Sequence, residues 1–225
     1  MTRARRFLIP TCTSWAARNW ELWARPPGLT VTAVTDLLQS LQNRLEGLPD
    51  GLQAHIYRVR DVAMELASRH GIPLDRAELG ALAHDVCRAV PGDELLKMSA
   101  DLGVLVTDVE RDFPLLLHGP VGAELLRMEE GLAEHSLCEA VRWHSTAHAS
   151  LDDLGKLVFL ADKLDPHKAA VYSYQAKLHD MALESLDLAL LEFLSREMAV
   201  RLEKRETVHP ASLDARNSLI LKLKN

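Results

Sequence analysis

From about residue 34 onward, hydrophobic residues recur at steps of three and four positions. This spacing lines one side of an α-helix, and no segment shows the strict alternation that is typical of a half-buried strand. Gly, Pro, Asp and Ser divide the pattern into short segments. The pattern therefore predicts an all-α domain. The predicted helices are residues 35–46, 50–69, 74–90, 93–102, 119–130, 133–146, 151–164, 168–182, 184–205 and 211–224.

The first 33 residues break this pattern. They hold three of the four tryptophans and the adjacent Pro26 and Pro27, with no clear periodicity. Arg18, Glu21 and Arg25 interrupt the apolar stretch that an export signal would need. We expect residues 1–33 to be an N-terminal extension, either disordered or the product of a start site assigned too far upstream. Residues 34–225 are then the folded domain.

Composition and charge narrow the classes of function. The 225-residue chain carries a formal net charge of −6, which argues against binding along a nucleic-acid backbone. No segment approaches the roughly 18 consecutive apolar residues that cross a membrane. The three cysteines are far apart and include no CxxC pair, so we expect reduced thiols in a cytoplasmic protein. Hydrophobic residues make up 48% of the chain, enough for one core.

An ionisable pair interrupts the apolar stretch LGALAHDVCRAV at residues 79–90. His84 and Asp85 stand where a buried helix would carry alanine or leucine. Burying an unpaired carboxylate costs several kcal/mol, so a partner must compensate. Cys87, close by, is expected to be a small buried hydrophobic residue.

Four other polar residues interrupt apolar segments in the same way, which makes six together with His84 and Asp85. Six separate partners would be needed to satisfy them one by one, whereas a shared metal centre satisfies all. Imidazole and carboxylate ligands suit Fe, Mn, Co or Zn. Asp85 has two oxygens and could reach a second metal beside the one that His84 binds. The candidate ligands are His55, His84, Asp85, His118, His144 and Asp162.

The remaining histidines are weaker candidates for metal ligands. His70 ends a predicted helix, where a partial positive charge suits the helix dipole. His148 follows the candidate ligand His144 and is considered with the substrate below. The others lie in polar surroundings and are expected to be exposed: His135, His167, His179 and His209.

The order of the six candidates resembles the HD superfamily of metal-dependent phosphohydrolases. Its minimal H…HD…D site matches His55, His84, Asp85 and Asp162, and its two-metal branch adds histidines where His118 and His144 stand. The segments LLLHGPVGAELL, AVRWHST, KLVFLADKLDPHK and HPASLDARNSL are similar to those of the YqeK family. This resemblance implies an HD-domain helical bundle that splits diadenosine tetraphosphate symmetrically into two ADP. It also implies two divalent or trivalent metal ions, iron first, with Mn, Co or Zn as alternatives.

The resemblance further implies roles for individual residues. Asp85 would be catalytic as the bridge between metals that hold a hydroxide, and Arg88, Lys156 or Lys168 would meet the charge of the leaving ADP, with Arg88 counted as catalytic. The substrate would be bound by Arg88, His148, Lys156 and Lys168. The chain departs from the family where Ala147 and His148 replace a Gly-Arg pair, where Arg88 replaces Lys, where Lys168 replaces Arg and where Asp165 replaces Glu.

Three other functions stay open at this point. The first is an HD phosphohydrolase acting on a nucleoside monophosphate or another dinucleoside polyphosphate. The second is a di-iron oxygenase, and the third is a nucleotide-sensing protein without catalysis. In each case the expected partner is a small molecule, and neither nucleic acid nor a membrane is involved. A homodimer is compatible with all three.

Overall fold

The computed structural model describes residues 31–129, 131–132 and 134–224. Of the predicted extension, residues 1–33, the first 30 residues lie outside the described part of the chain, and Cys12 is among them. Regular structure in the described residues is helical throughout, so the predicted all-α class is confirmed. The α-helices are α1 (Val31–Leu45), α2 (Asp50–His70), α3 (Leu74–Ala83), α4 (Gly92–Leu102), α5 (Asp108–Asp112), α6 (His118–Glu129), α7 (His135–Trp143), α8 (Asp153–Lys163), α9 (Gln175–Glu184), α10 (Leu186–Lys204) and α11 (Pro210–Leu223).

Local signals account for several helix ends. Helix α2 ends at Gly71, whose φ of 67° is the left-handed conformation that glycine adopts without strain. Helix α10 begins after Ser185, whose side chain accepts a hydrogen bond from the Leu188 amide. The short helix α5 is held by a capping box between Thr107 and Glu110. Hydrophobic periodicity did not predict α5, because five residues are too few to show a helical repeat.

Besides the helix predicted at 133–146, which is observed at His135–Trp143, two predicted helices are shorter than expected. The helix predicted at 74–90 ends at Ala83, and the chain continues in turns whose amides bond to carbonyls three residues back, as Arg88 does to Asp85 at 2.9 Å. The helix predicted at 168–182 begins only at Gln175, after a 3-10 turn at Pro166–Lys168. In both places a side chain of interest lies in a turn just outside a helix.

Close helix contacts at two glycines bring the polar segments together. A Cβ atom on Gly80 would lie 2.8 Å from the Val158 side chain, so only glycine lets α3 approach α8 this closely. A Cβ atom on Gly119 would lie 2.7 Å from the Arg142 carbonyl oxygen at the end of α7. The second contact places the start of α6, with His118, against the end of α7, where His144 follows.

Two cysteines are buried in the core. Cys87 and Cys138 are free thiols, 2% and 4% exposed, and burial raises the pKa of each to about 11. Cys87 is therefore a buried apolar side chain, as expected. Among the described residues, no helix combines the length and apolar character needed to span a membrane.

Candidate metal centre

The structure brings all six candidate ligands to one place. His55 lies on α2, and the turn after α3 carries the adjacent His84 and Asp85. Helix α6 begins with one histidine, α7 is followed by another, and Asp162 lies in the last turn of α8. Only His55 is partly exposed, with 13% of its side chain accessible. We call this set, formed by His55, His84, Asp85, His118, His144 and Asp162, the metal cluster.

The two oxygens of Asp85 face different histidines. Asp85 Oδ2 lies 3.6 Å from His55 Nε2 and 3.5 Å from His84 Nε2. Asp85 Oδ1 lies 3.0 Å from His118 Nε2 and 3.3 Å from His144 Nε2. The metal cluster therefore divides into two groups of potential ligands that share one carboxylate. Asp162 belongs to the first group, since its Oδ1 is 3.1 Å from His55 Nε2.

Three of the histidines are oriented in the same way by the backbone. The Nδ1 atoms of His84 and His144 each lie 2.7 Å from the carbonyl oxygen three residues earlier, and His118 makes the same bond. When Nδ1 donates to a carbonyl, the neutral ring keeps its Nε2 lone pair free for a cation. The acceptors are the carbonyls of Ala81, Val141 and Leu115.

His55 is oriented by a carboxylate instead. Its Nδ1 lies 2.6 Å from Asp165 Oδ2, and Asp165 also accepts from Arg58 Nε at 2.7 Å. Although burial opposes it, Arg58 and His55 hold the pKa of Asp165 well below its usual range. This carboxylate–histidine pair is a common support for a metal ligand. Arg58 was not predicted, although its position three residues after His55 on the same helix was a usable signal.

The Nε2 atoms that converge on the site face one another, the two carboxylates and the hydroxyl of Ser145, which lies 3.2 Å from His118 Nε2 and 3.1 Å from His144 Nε2. His84 Nε2 is buried without a hydrogen-bond partner in the described structure. His118 Nε2 and His144 Nε2 are 2.9 Å apart, yet with both Nδ1 atoms donating neither Nε2 carries a hydrogen to share. Burial and the neighbouring histidines lower the pKa of His144 to about 4, which keeps its ring neutral. The donor set therefore fits metal cations, which would satisfy these lone pairs.

The carboxylates of the metal cluster are held in the charged form. Burial would raise the pKa of Asp85, but the surrounding histidines lower it well below its usual value. Lys163 does the same for Asp162, with help from His55 and Lys168. Each site carboxylate is therefore ionised at neutral pH and available to a cation.

Two lysines contact Asp162. Lys163 Nζ lies 2.5 Å from its Oδ2 and Lys168 Nζ 2.5 Å from its Oδ1. Lys163 is buried, donates to the His144 carbonyl at 3.2 Å, and lies over the Phe159 ring. Sequence reasoning missed Lys163, although a lysine directly after the acid that ends an apolar run was a visible signal.

The metal cluster opens into a cavity of about 1090 Å³. Arg88 and Lys168, both predicted to bind substrate, line this cavity. Arg88 is exposed and has no ion-pair partner among the described residues. Its guanidinium is therefore free to bind an anion.

The structure does not bring His148 and Lys156 to this cavity. His148 stacks on Trp143 with ring centroids 4.6 Å apart, and its Nδ1 bonds the Ser150 side chain at 2.6 Å. Lys156 Nζ lies 2.6 Å from Asp187 Oδ1. Both residues line a separate pocket of about 100 Å³. Neither residue lines the cavity at the metal cluster, and their role as phosphate ligands stays a prediction that this geometry does not support.

His209 is buried, contrary to the prediction that it is exposed. Its Nδ1 accepts from the Ala211 amide at 3.2 Å, which caps α11, and its Nε2 lies 3.6 Å from Glu110 Oε1. The segment before α11 lines the cavity, and Ser212 in the first turn of α11 donates to the Thr146 carbonyl at 2.5 Å. Polar neighbours in sequence gave no indication of this long-range contact.

Comparisons with known proteins agree with this geometry. A family model described as HD domain matches residues 52–167. Two proteins named symmetrical bis(5'-nucleosyl)-tetraphosphatase are similar in sequence. The one from Bacillus subtilis is 27% identical over 166 residues, covering 74% of this chain and 88% of that protein. The one from Staphylococcus aureus is 29% identical over 180 residues, covering 76% and 88%.

A solved structure shares the fold. It comes from Clostridium acetobutylicum and is described as a predicted HD superfamily hydrolase involved in NAD metabolism. The match has a TM-score of 0.75 and covers 86% of this chain and 98% of that one, at 24% sequence identity. The helical architecture is therefore common to both proteins.

Proposed function

The chain belongs to the HD domain family of metal-dependent hydrolases, and we propose that it cleaves diadenosine tetraphosphate symmetrically into two ADP. The observation that carries this proposal is the shared carboxylate, since each oxygen of Asp85 faces its own group of histidine nitrogens. The names of the relatives from B. subtilis and S. aureus support the choice of substrate.

The metal cluster would hold two cations, and iron is our first choice, with Mn, Co or Zn as alternatives. The first would be bound by His55, His84, Asp85 and Asp162, and the second by Asp85, His118 and His144. When bound, such a pair supplies an activated water molecule and a positive field that polarises a phosphoryl group.

The protein contributes orientation and charge. Hydrogen bonds at Nδ1 hold each imidazole ring at a fixed angle, so the Nε2 atoms already point to where cations would be held. Arg88 lines the cavity with an unpaired guanidinium that can bind two phosphate oxygens at once. We propose that Arg88 receives the negative charge that develops on the departing ADP. Lys168 serves the same phosphate chain from the side of Asp162.

Product analysis tests this proposal. The purified protein is incubated with diadenosine tetraphosphate, and nucleotides are separated by ion-exchange chromatography. ADP as the sole product is expected, because symmetric cleavage breaks the bond at the centre of the phosphate chain. ATP and AMP in equal amounts would contradict the symmetric reaction. A parallel panel of nucleoside monophosphates and other dinucleoside polyphosphates tests the alternative substrates, and turnover of one of these alone would overturn the proposed substrate.

A further inference from the structure

One side of the cavity is lined by aromatic rings. Phe159 and Phe193 meet edge to face with centroids 5.5 Å apart, and Tyr172 meets Phe193 in the same way at 5.4 Å. All three line the cavity, and we call them the aromatic wall. Phe159 and Phe193 are almost fully buried, whereas Tyr172 is only half-buried. Tyr172 is therefore the member whose ring offers surface to a molecule in the cavity.

The Tyr172 side chain has no polar role of its own in the described structure. Its hydroxyl makes no hydrogen bond to another described residue, although tyrosines packed into a core usually find a partner. Leu194 and Met198 line the cavity beside it and extend the apolar surface. A flat apolar surface that is open to the cavity binds water poorly, and it can instead contact the face of a planar ligand.

The aromatic wall adjoins the charged part of the cavity. Lys163 Nζ lies 4.6 Å from the Phe159 ring centroid and also contacts Asp162 of the metal cluster. Lys168 contacts Asp162 as well, and its carbonyl accepts the Tyr172 amide at 3.0 Å. A phosphate at the metal cluster would thus have cations on one side and, directly beyond them, the aromatic wall.

We propose that the aromatic wall is a nucleobase subsite in which Tyr172 stacks on the base of a nucleotide whose phosphates lie at the metal cluster. The inference rests on the proposed function, because it assumes that a nucleotide is bound there. Aromatic rings stack on the face of every base, and the stacking contact does not depend on the phosphates. Tyr172 therefore determines how much the base, rather than the phosphate chain, adds to binding.

Two ligands that resist hydrolysis separate these contributions. Adenosine 5'-(α,β-methylene)diphosphate carries base and phosphonates, and methylenediphosphonate carries the phosphonates alone. Binding of each to the purified full-length protein is measured by isothermal titration calorimetry. Since neither ligand needs to be cleaved, the result does not depend on which nucleotide the enzyme hydrolyses.

Three variants make the test specific. Tyr172→Leu keeps an apolar side chain but removes the ring, and we expect it to bind the nucleotide analogue about tenfold more weakly. Its affinity for methylenediphosphonate should stay within about twofold. Tyr172→Phe keeps the ring and should bind both ligands as the wild type does. Tyr174→Leu is the control, because Tyr174 lies near Tyr172 but packs against Arg196 and does not line the cavity.

The outcomes are distinct. Wild-type affinity of Tyr172→Leu for the nucleotide analogue would overturn the subsite, and so would an equal loss for both ligands, which would indicate a general disturbance of the cavity. Circular dichroism and a thermal melt check that the variants are folded. If the wild-type protein fails to hydrolyse diadenosine tetraphosphate but the Tyr172→Leu loss is observed, the proposed substrate is wrong and the nucleobase subsite stands.

Discussion

Two clusters of ionisable side chains each include a residue of α8, and they differ in how their charges are satisfied. In the metal cluster, four Nε2 atoms converge on two carboxylates, and the buried His84 Nε2 has no hydrogen-bond partner. In the second cluster, Lys156 and Lys222 both contact Asp187, at 2.6 Å and 2.5 Å. We call Lys156, Asp187 and Lys222 the paired cluster. Lys156 also contacts Asp153 at 3.0 Å, so the two lysines face two carboxylates and the charges balance.

The comparison shows which kind of charged cluster is able to bind a ligand. A dense group of charges is not by itself a site, since opposite charges neutralise one another in the paired cluster and leave little for a ligand. Burial would raise the pKa of Asp187, but the two lysines lower it, as expected for a closed ion-pair network. The metal cluster instead brings together the Nε2 atoms of four histidines, which can serve as ligands to a cation. This convergence of potential ligands on shared carboxylates distinguishes it.

Replacing one carboxylate in each cluster should give the largest contrast. Asp85→Asn removes a ligand from both groups, and we expect turnover to fall at least about 1000-fold, because an amide bridges cations poorly. Asp187→Asn is the matched control and should leave turnover within about twofold. Initial rates with diadenosine tetraphosphate, or with whichever nucleotide is cleaved, make the measurement. Equal losses in both variants would erase the distinction between the clusters.

The support of His55 should matter less than the ligands themselves. Asp165→Asn replaces the carboxylate that accepts from His55 Nδ1, and we expect metal affinity to fall about 10- to 100-fold. Competition with a chelating dye measures this affinity. Arg60→Gln is the control, because Arg60 lies on the same helix and pairs with the exposed Asp61. An unchanged affinity in Asp165→Asn would show that the carboxylate does not orient a ligand.

Replacing Asp187 in the paired cluster should lower the stability of the fold rather than the activity. The loss of stability should be seen at neutral pH and not in acid. The pKa of Asp187 is lower in the folded protein, so its stabilisation is present above the unfolded pKa near 3.9 and is lost as pH falls through the folded value. We expect Asp187→Asn to lower the free energy of unfolding by about 1 kcal/mol at pH 7. Urea unfolding should give a smaller difference below about pH 4. A difference that grows on acidification would contradict this role.

The smallest effect is expected from relieving the backbone strain at Ala147. Ala147 follows His144 by three positions and has a φ of 61°, a left-handed conformation that costs an alanine about 1 kcal/mol. Ala147→Gly should relieve this strain and stabilise the fold by up to about 1 kcal/mol, less the extra chain entropy of glycine. Thermal unfolding measures the gain. A destabilised Ala147→Gly would mean that the buried methyl group contributes more than the strain costs.

The candidate ligands could be predicted from the sequence because they interrupt apolar segments. Asp162 and His84 stand among leucines and alanines, and that contradiction is visible without a structure. Lys163 was missed although it directly follows Asp162, whereas the support that Asp165 gives to His55 depends on a contact between distant segments that the sequence does not show. His209 was expected to be exposed for the same reason, since only the folded chain brings it to Glu110.

The helix boundaries show the same limit of sequence reasoning. Hydrophobic periodicity predicted the long helices well, including the end of α2 at Gly71. It extended α3 to residue 90, because Val86 and Val90 continue the apolar spacing through residues that are in fact turns. Hydrogen bonding in the turn, rather than side-chain spacing, ends that helix and directs Asp85 between the histidine groups.

Metal content of the second group tests the central claim most directly. If Asp85 joins two metal sites, the wild-type protein should contain two metal ions per chain by inductively coupled plasma mass spectrometry. His118→Ala and His144→Ala should each retain about one ion, since the group of His55, His84 and Asp162 is intact in both. Circular dichroism confirms that they are folded. Two ions retained in both variants would contradict the assignment of His118 and His144 as ligands, and with it the two-metal site.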